Sequence, residues 1–329
     1  IQKMLVKGMT DHDWSVRKAA TSAIELIKPT NQEVIFEIVE LLKHKNLDIR
    51  YAAVEVLLNI KPADANIDQA LAEFSLKIIS LLHHDNVNIK IKTTDLLRKI
   101  KPTDPEIHKA LAKTLSDADS SVRNAVALAL KEIKPTNQEV VSEIAGLFTT
   151  GYYEYMGYSD TAGIRALAAD VLGEIKPADP KIHKALAKAL DYFDDEDERV
   201  ANYAAKALYM IKPTDPEINK ALVEFLFKKV ALLQHEDKNI RASAADVLGK
   251  IKPEDVEIHK ALVKFLSDVN SSVRNAVVHA LSKIKPKNQE VILEIAKLLE
   301  HENENIIEVA AYALGEIKPR DKEVLLKIV

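Results

Sequence analysis

The histidines are the side chains in this sequence best placed to do chemistry. His235-Glu236 and His301-Glu302 put an imidazole beside a carboxylate, the kind of donor pair from which a metal site is assembled. A second set, His108, His183 and His259, recurs within Glu-Ile-His-Lys or Lys-Ile-His-Lys. Cysteine is absent, which removes disulfides, thiolate zinc sites and thiol catalysis. No Ser-His-Asp arrangement or P-loop is present, and the 8 glycines follow no phosphate-cradling spacing.

Aromatic and acidic side chains form a different cluster. Half of the glycines lie between Gly146 and Gly163, and seven of the nine tyrosines fall between Tyr152 and Tyr209. Tyr152, Tyr153, Tyr155 and Tyr158 sit together in one segment, 148–163. Tyr192 opens an acidic run that continues through Glu198. Tyrosines beside carboxylates make a seat for a basic or amphipathic segment through hydrogen bonds, cation–π contact and charge.

The elements that position these groups are written in a repeat. Ile-Lys-Pro occurs nine times, with prolines at 29, 62, 102, 135, 177, 213, 253, 286 and 319. Thirteen residues before each proline stands Val or Ile, and five before it Leu or Ile. With the apolar or small residues nine, six and two before the proline, these positions form one apolar helix face. This helix, B, is predicted to be capped by the polar residue fourteen before the proline, as at Ser15, Asp48, Asn88, Ser121, Asn239, Ser272 and Asn305. The proline ends it. Two residues later Asn or Asp starts the next helix, A, in every unit from Asn31 to Asp321. The spacings of 40 residues insert seven residues into helix A at 70–82 and 221–233, nearly two turns, so the apolar face keeps its phase. The lysine before each proline forms a ladder that suits either the carbonyl end of its own helix or an acidic partner.

This spacing bears on the histidines. His235 and His301 stand two units apart, and helices pack about 10 Å apart, so they cannot share a metal whose ligand bonds are about 2 Å. The pattern predicts helix-end complementation, no metal, no cofactor and no enzyme. Of the residues, 47% are hydrophobic and 29% charged, with a net charge of −4. Such a chain buries a continuous core and presents no global positive field for nucleic acid. No apolar run reaches the roughly 20 residues of a membrane span. The expectation is a cytoplasmic protein without membrane insertion. The chain starts and ends within helical patterns, with a partial repeat last, and is expected to be a piece of a longer or processed protein.

Helix A, an Asp-containing turn, then Val-Arg and Ala-Leu on helix B, together resemble the HEAT repeat over nearly the whole chain. Asp11 with Arg17, Asp117 with Arg123 and Asp268 with Arg274 match the family's turn Asp and helix-B Arg; His44, His84, His235 and His301 replace that Asp in four units. The resemblance implies an all-α, right-handed superhelix, one solenoid over 1–329 with a concave wall of B helices that binds other proteins. On that wall, positions eleven, seven and four before the proline include Asp170, Asn202, Tyr209, Asp246 and Gly249. A wall so small and so mixed in charge suits an extended peptide or helix, and the acidic run beside the tyrosines suits a basic one. The reading is a scaffold or adaptor with Tyr152, Tyr153, Tyr155, Tyr158 and Tyr192 as anchor. The alternatives from the same resemblance are a bilin lyase and a metal-dependent hydroxylase whose His-Glu pairs hold iron; the chain ends within helical patterns add a third, the sensor array of a larger signalling protein.

Overall fold

A computed structural model describes residues 1–60, 65–149, 161–191 and 198–319. The described residues form helices and turns, with no strand among them. The chain divides into two compact units, Ile1–Ile175 and Lys176–Val329. The first holds α1 (Gln2–Gly8), α2 (Trp14–Ile27), α3 (Gln32–Glu40), α4 (Leu47–Ile60), α5 (Ala65–Ile78), α6 (Val87–Ile100), α7 (Pro105–Thr114), α8 (Ser120–Ile133), α9 (Gln138–Thr149) and α10 (Thr161–Ile175). The second holds α11 (Pro180–Lys188), α12 (Glu198–Ile211), α13 (Pro216–Leu232), α14 (Lys238–Ile251), α15 (Val256–Lys264), α16 (Ser271–Ile284), α17 (Gln289–Lys297) and α18 (Glu304–Ile317). Odd-numbered helices are A and even-numbered ones B. Each B helix packs on its own A helix and on the neighbouring B helix of its unit.

The residue five before each proline is at most 5% exposed in all nine repeats, from Ile24 to Leu314. Each such side chain contributes about 1.5–3 kcal/mol relative to an exposed one, and this column is the spine of both cores. The inserted residues extend helix A as the phase argument requires: α13 has 17 residues where α11 and α15 have 9.

Helix B ends in a conformation that the sequence did not suggest. Eight lysines preceding the prolines lie in the left-handed region, with φ between 48° and 58°. In seven of them the amide donates to the carbonyl of the residue five before the proline at 2.8–2.9 Å. A left-handed L-residue costs about 1–2 kcal/mol. The following proline disfavours the right-handed alternative, and seven of these prolines are buried beneath exposed lysines. Burial of the proline ring holds the turn.

Helix B also starts earlier than predicted. In seven repeats the N-cap is the residue sixteen before the proline: Asp13, Asn46, Asn86, Asp119, Asp237, Asn270 and Asn303. Its side chain accepts from the amide of the residue that spacing had named as cap. The A-helix caps Asn31, Asp104, Asn137, Asp179, Asp215, Asp255 and Asn288 stand where predicted. Asp64 and Asp321 lie outside the described residues.

Candidate functional site

The turn between helices A and B explains both the polar column and its histidines. Eighteen residues before the proline, the carboxylates of Asp11, Asp117 and Asp268 accept the N-cap amide at 2.8–2.9 Å. In the other four turns Nδ1 of His44, His84, His235 and His301 accepts the same amide at 2.9–3.0 Å. The Nδ1 lone pair there does the work of a carboxylate oxygen. The imidazole replaces Asp as the turn's acceptor, which is not the dipole role read from its position. The second histidine set does something else. Nε2 of His108, His183 and His259 lies 2.7 Å from the carbonyl of Pro102, Pro177 and Pro253 respectively. Asn219 donates to Pro213 at 2.9 Å in the same position. Among the described residues no three His, Cys, Asp or Glu side chains converge as metal ligands would.

The helix-B arginine closes the turn from the other side. Nη1 of Arg17, Arg123, Arg241 and Arg274 donates to two turn carbonyls of its own repeat. The turn Asp instead takes its counter-charge from the preceding repeat. Arg241 grips Asp268 with two bonds of 2.8 and 2.9 Å, and Lys90 donates to Asp117 at 2.6 Å. The carboxylate–cation ladder therefore runs between repeats.

On the B-helix wall of the first unit, polar side chains bridge successive helices. The Tyr51 hydroxyl on α4 donates to Asp95 on α6 at 2.5 Å. Lys99 donates to Tyr51 and Glu55, the latter at 2.5 Å, Lys92 to Asp48 at 2.5 Å, and Arg98 to Glu132 on α8 at 3.0 Å. Burial alone would raise the Asp95 carboxyl, but the Tyr51 hydroxyl and Arg98 outweigh it and hold the group below its ordinary range. Burial opposes the Lys99 charge; Glu55 and Tyr51 reverse that and raise it. The bridges thus join charged groups and fix the wall's side chains.

A groove of about 580 Å³ opens across α2, α4 and α6, lined among others by Trp14, Lys18, Glu25, Tyr51 and Lys92. Trp14 is 61% exposed, and the Lys18 ammonium lies 5.0 Å from its ring centre. No cation among the described residues pairs with Glu25, which accepts only from Asn59 at 3.0 Å. Neither Trp14 nor Tyr51 emerged as a candidate from the sequence. Tyr51 is eleven residues before Pro62, so extending the wall columns to the first repeats would have found it.

The predicted site residues are scattered. Tyr152, Tyr153, Tyr155, Tyr158 and Tyr192 lie outside the described residues. Asp170, in the first unit, is 6% exposed and accepts from Lys131 at 2.7 Å, tying α8 to α10. Its carboxylate is therefore a packing group beneath the wall. In the second unit Asp246 pairs with Lys250 at 2.5 Å and with Lys283 at 3.5 Å. Asn202 is half-buried, and its side-chain oxygen has no hydrogen-bond partner among the described residues. The Tyr209 hydroxyl accepts from the Glu254 amide at 2.7 Å beside an apolar niche of about 380 Å³ that includes Val223 and Phe227.

A family model described as HEAT repeats matches residues 228–292, and one described as a HEAT repeat associated with sister chromatid cohesion matches 1–24 and 103–126. No curated protein matches the chain. Among solved structures, a chain of a homology model of the full-length AP-3 complex is 15% identical with a TM-score of 0.52, over 91% of this chain and 53% of that one. The crystal structure of an engineered protein is 23% identical over 99% of this chain and 91% of that one, with a TM-score of 0.41. A crystal structure of Kap121p is 15% identical over 99% of this chain and 42% of that one, with a TM-score of 0.46. This chain thus spans about half the length of the AP-3 chain and less than half of Kap121p. The AP-3 likeness bears on the fold, an α-solenoid.

Proposed function

The chain is a HEAT-repeat protein, and on that premise we propose that it is a non-enzymatic scaffold whose B-helix wall receives an extended or helical segment of a partner protein. The groove of Trp14 and Tyr51 carries this reading. Tryptophan and tyrosine are the side chains that most often dominate binding energy, and here they face a wall whose polar groups are already held by bonds between helices. A surface fixed in advance loses less freedom on binding. A basic residue of the partner would meet Glu25. The segment 150–159, with Tyr152 to Tyr158, serves as a second anchor in this proposal, and neither nucleic acid nor a bilayer core is a partner. Among the described residues no helix is long and apolar enough to cross a membrane.

Capture of partners from native lysate tests the proposal. Trp14→Ala combined with Glu25→Lys is expected to weaken capture by about tenfold or more, and deletion of 150–159 to weaken it as well, while the helical circular dichroism stays that of the parent. Undiminished capture by the double variant would remove the groove from the proposal; undiminished capture by the deletion would remove the loop.

A further inference from the structure

Among the described residues the turn ladder leaves one guanidinium without a partner. Where the next repeat's turn carries Asp, the cation twelve residues before the proline closes on it, as Lys90 does on Asp117 and Arg241 on Asp268. Where that turn carries His, the imidazole satisfies the turn amide but offers the preceding cation no charge. Arg50 stands before such a turn, that of His84. Unlike its equivalents Arg17, Arg123, Arg241 and Arg274, it makes no bond to the carbonyls of its own turn. No described residue accepts from its guanidinium, and its Nε is buried. Burial pushes this guanidinium down from its ordinary value. An unmatched, partly desolvated cation is costly, so something that neutralises it would bind with gain.

The surroundings say what. Arg50 lines a niche of about 250 Å³ between α3, α4 and α5, together with Lys43, Lys77, Glu73 and the apolar Leu42 and Phe74. Three basic residues from three elements and one carboxylate line it. Lys43 leans toward Glu40 at 2.6 Å, Glu73 accepts from Gln69 at 3.0 Å, and Lys77 has no ion pair among the described residues. Basic residues carried on several sides of a niche suit an anion with oxygens on all sides better than a flat carboxylate, and the planar guanidinium fork fits two such oxygens. We infer that this niche is a binding site for a tetrahedral oxyanion of the phosphate class, with Arg50 as its principal ligand and Lys43 and Lys77 completing it.

The test is thermal unfolding of the whole chain at neutral pH and constant ionic strength, with chloride exchanged for inorganic phosphate, for the phosphate monoester phosphoserine, or for acetate. Phosphate is expected to raise the melting temperature saturably by about 2–4 °C, and acetate not to. A matching rise with phosphoserine identifies a phosphoryl group carried on a larger molecule as an occupant; a rise with inorganic phosphate alone identifies the free ion. Arg50→Gln should abolish the response. His84→Asp should abolish it too, by giving Arg50 the internal carboxylate that Arg241 has, and should melt higher than the parent in chloride. Arg50→Gln also controls for the general stabilisation that excluded anions confer. A flat parent curve, an undiminished rise in Arg50→Gln, or an equal rise with acetate would overturn the assignment.

Discussion

Replacing Asp268 with alanine is expected to destabilise the second unit by about 2–4 kcal/mol, read from denaturant or thermal unfolding. The side chain is 6% exposed and does two jobs. It accepts the Asn270 amide that sets the start of α16, and it receives both bonds of the Arg241 fork from the preceding repeat. Alanine removes both and leaves Arg241 with only the two turn carbonyls of its own repeat. Asp268→His should recover part of the loss, because imidazole fills the turn position in four other repeats; what remains lost measures the ladder alone. The pH dependence has a definite sign. Burial pushes the Asp268 carboxyl up, but Arg241 and the Asn270 amide outweigh it and hold it below its ordinary range. A carboxyl depressed in the folded state stabilises the fold fully above its unfolded value, near 4, and progressively less as pH falls through the folded value. Asp268→Asn should therefore flatten the parent's loss of stability as pH falls below about 4. A parent-like acid slope in Asp268→Asn would mean that the ladder contributes nothing.

Two glycine substitutions should act with opposite signs. A methyl group on Gly249 of α14 would lie 2.6 Å from the Ala280 Cα of α16, so Gly249→Ala must push two packed helices apart, at about 1–3 kcal/mol. That exceeds the roughly 0.5–1 kcal/mol which alanine ordinarily gains over glycine inside a helix. Gly315 occupies the same column in α18, and nothing lies within 4 Å of the methyl it would gain. Gly315→Ala should accordingly stabilise the protein by about 0.5–1 kcal/mol. Equal effects at the two positions would show that α14 and α16 are not in such close contact.

The fold was largely legible because its signals are local and periodic. The buried column from Ile24 to Leu314 follows from helical spacing, and the prolines and A-helix caps mark boundaries by backbone chemistry alone. What escaped involves contacts across repeats or conformations that several residue types can adopt. Arg241 and Asp268 are 27 residues apart, and their pairing depends on how one repeat stacks on the next. Gly249 reads as open wall in sequence and proves to be the point where two helices touch. The left-handed lysines carry no glycine to announce them. His235 and His301 read as complements of a helix end until the turn amide each accepts is seen. Of the candidate site, Tyr209 and Asp246 read as surface groups but already serve contacts between repeats. Trp14 was overlooked because a lone tryptophan in a first turn has no periodicity to place it beside Tyr51.

Hydroxyl-radical footprinting of the chain, free and bound to a captured partner, tests the scaffold reading most directly, since it reports side-chain exposure residue by residue. Trp14 on the B-helix wall is 61% exposed and Phe36 on helix A is 63% exposed, so both should be oxidised readily in the free protein. Binding along the B-helix wall predicts that oxidation of Trp14 falls steeply in the complex while that of Phe36 is unchanged. Protection of Phe36 with Trp14 still oxidised at its free rate would contradict it and place the partner on the A helices.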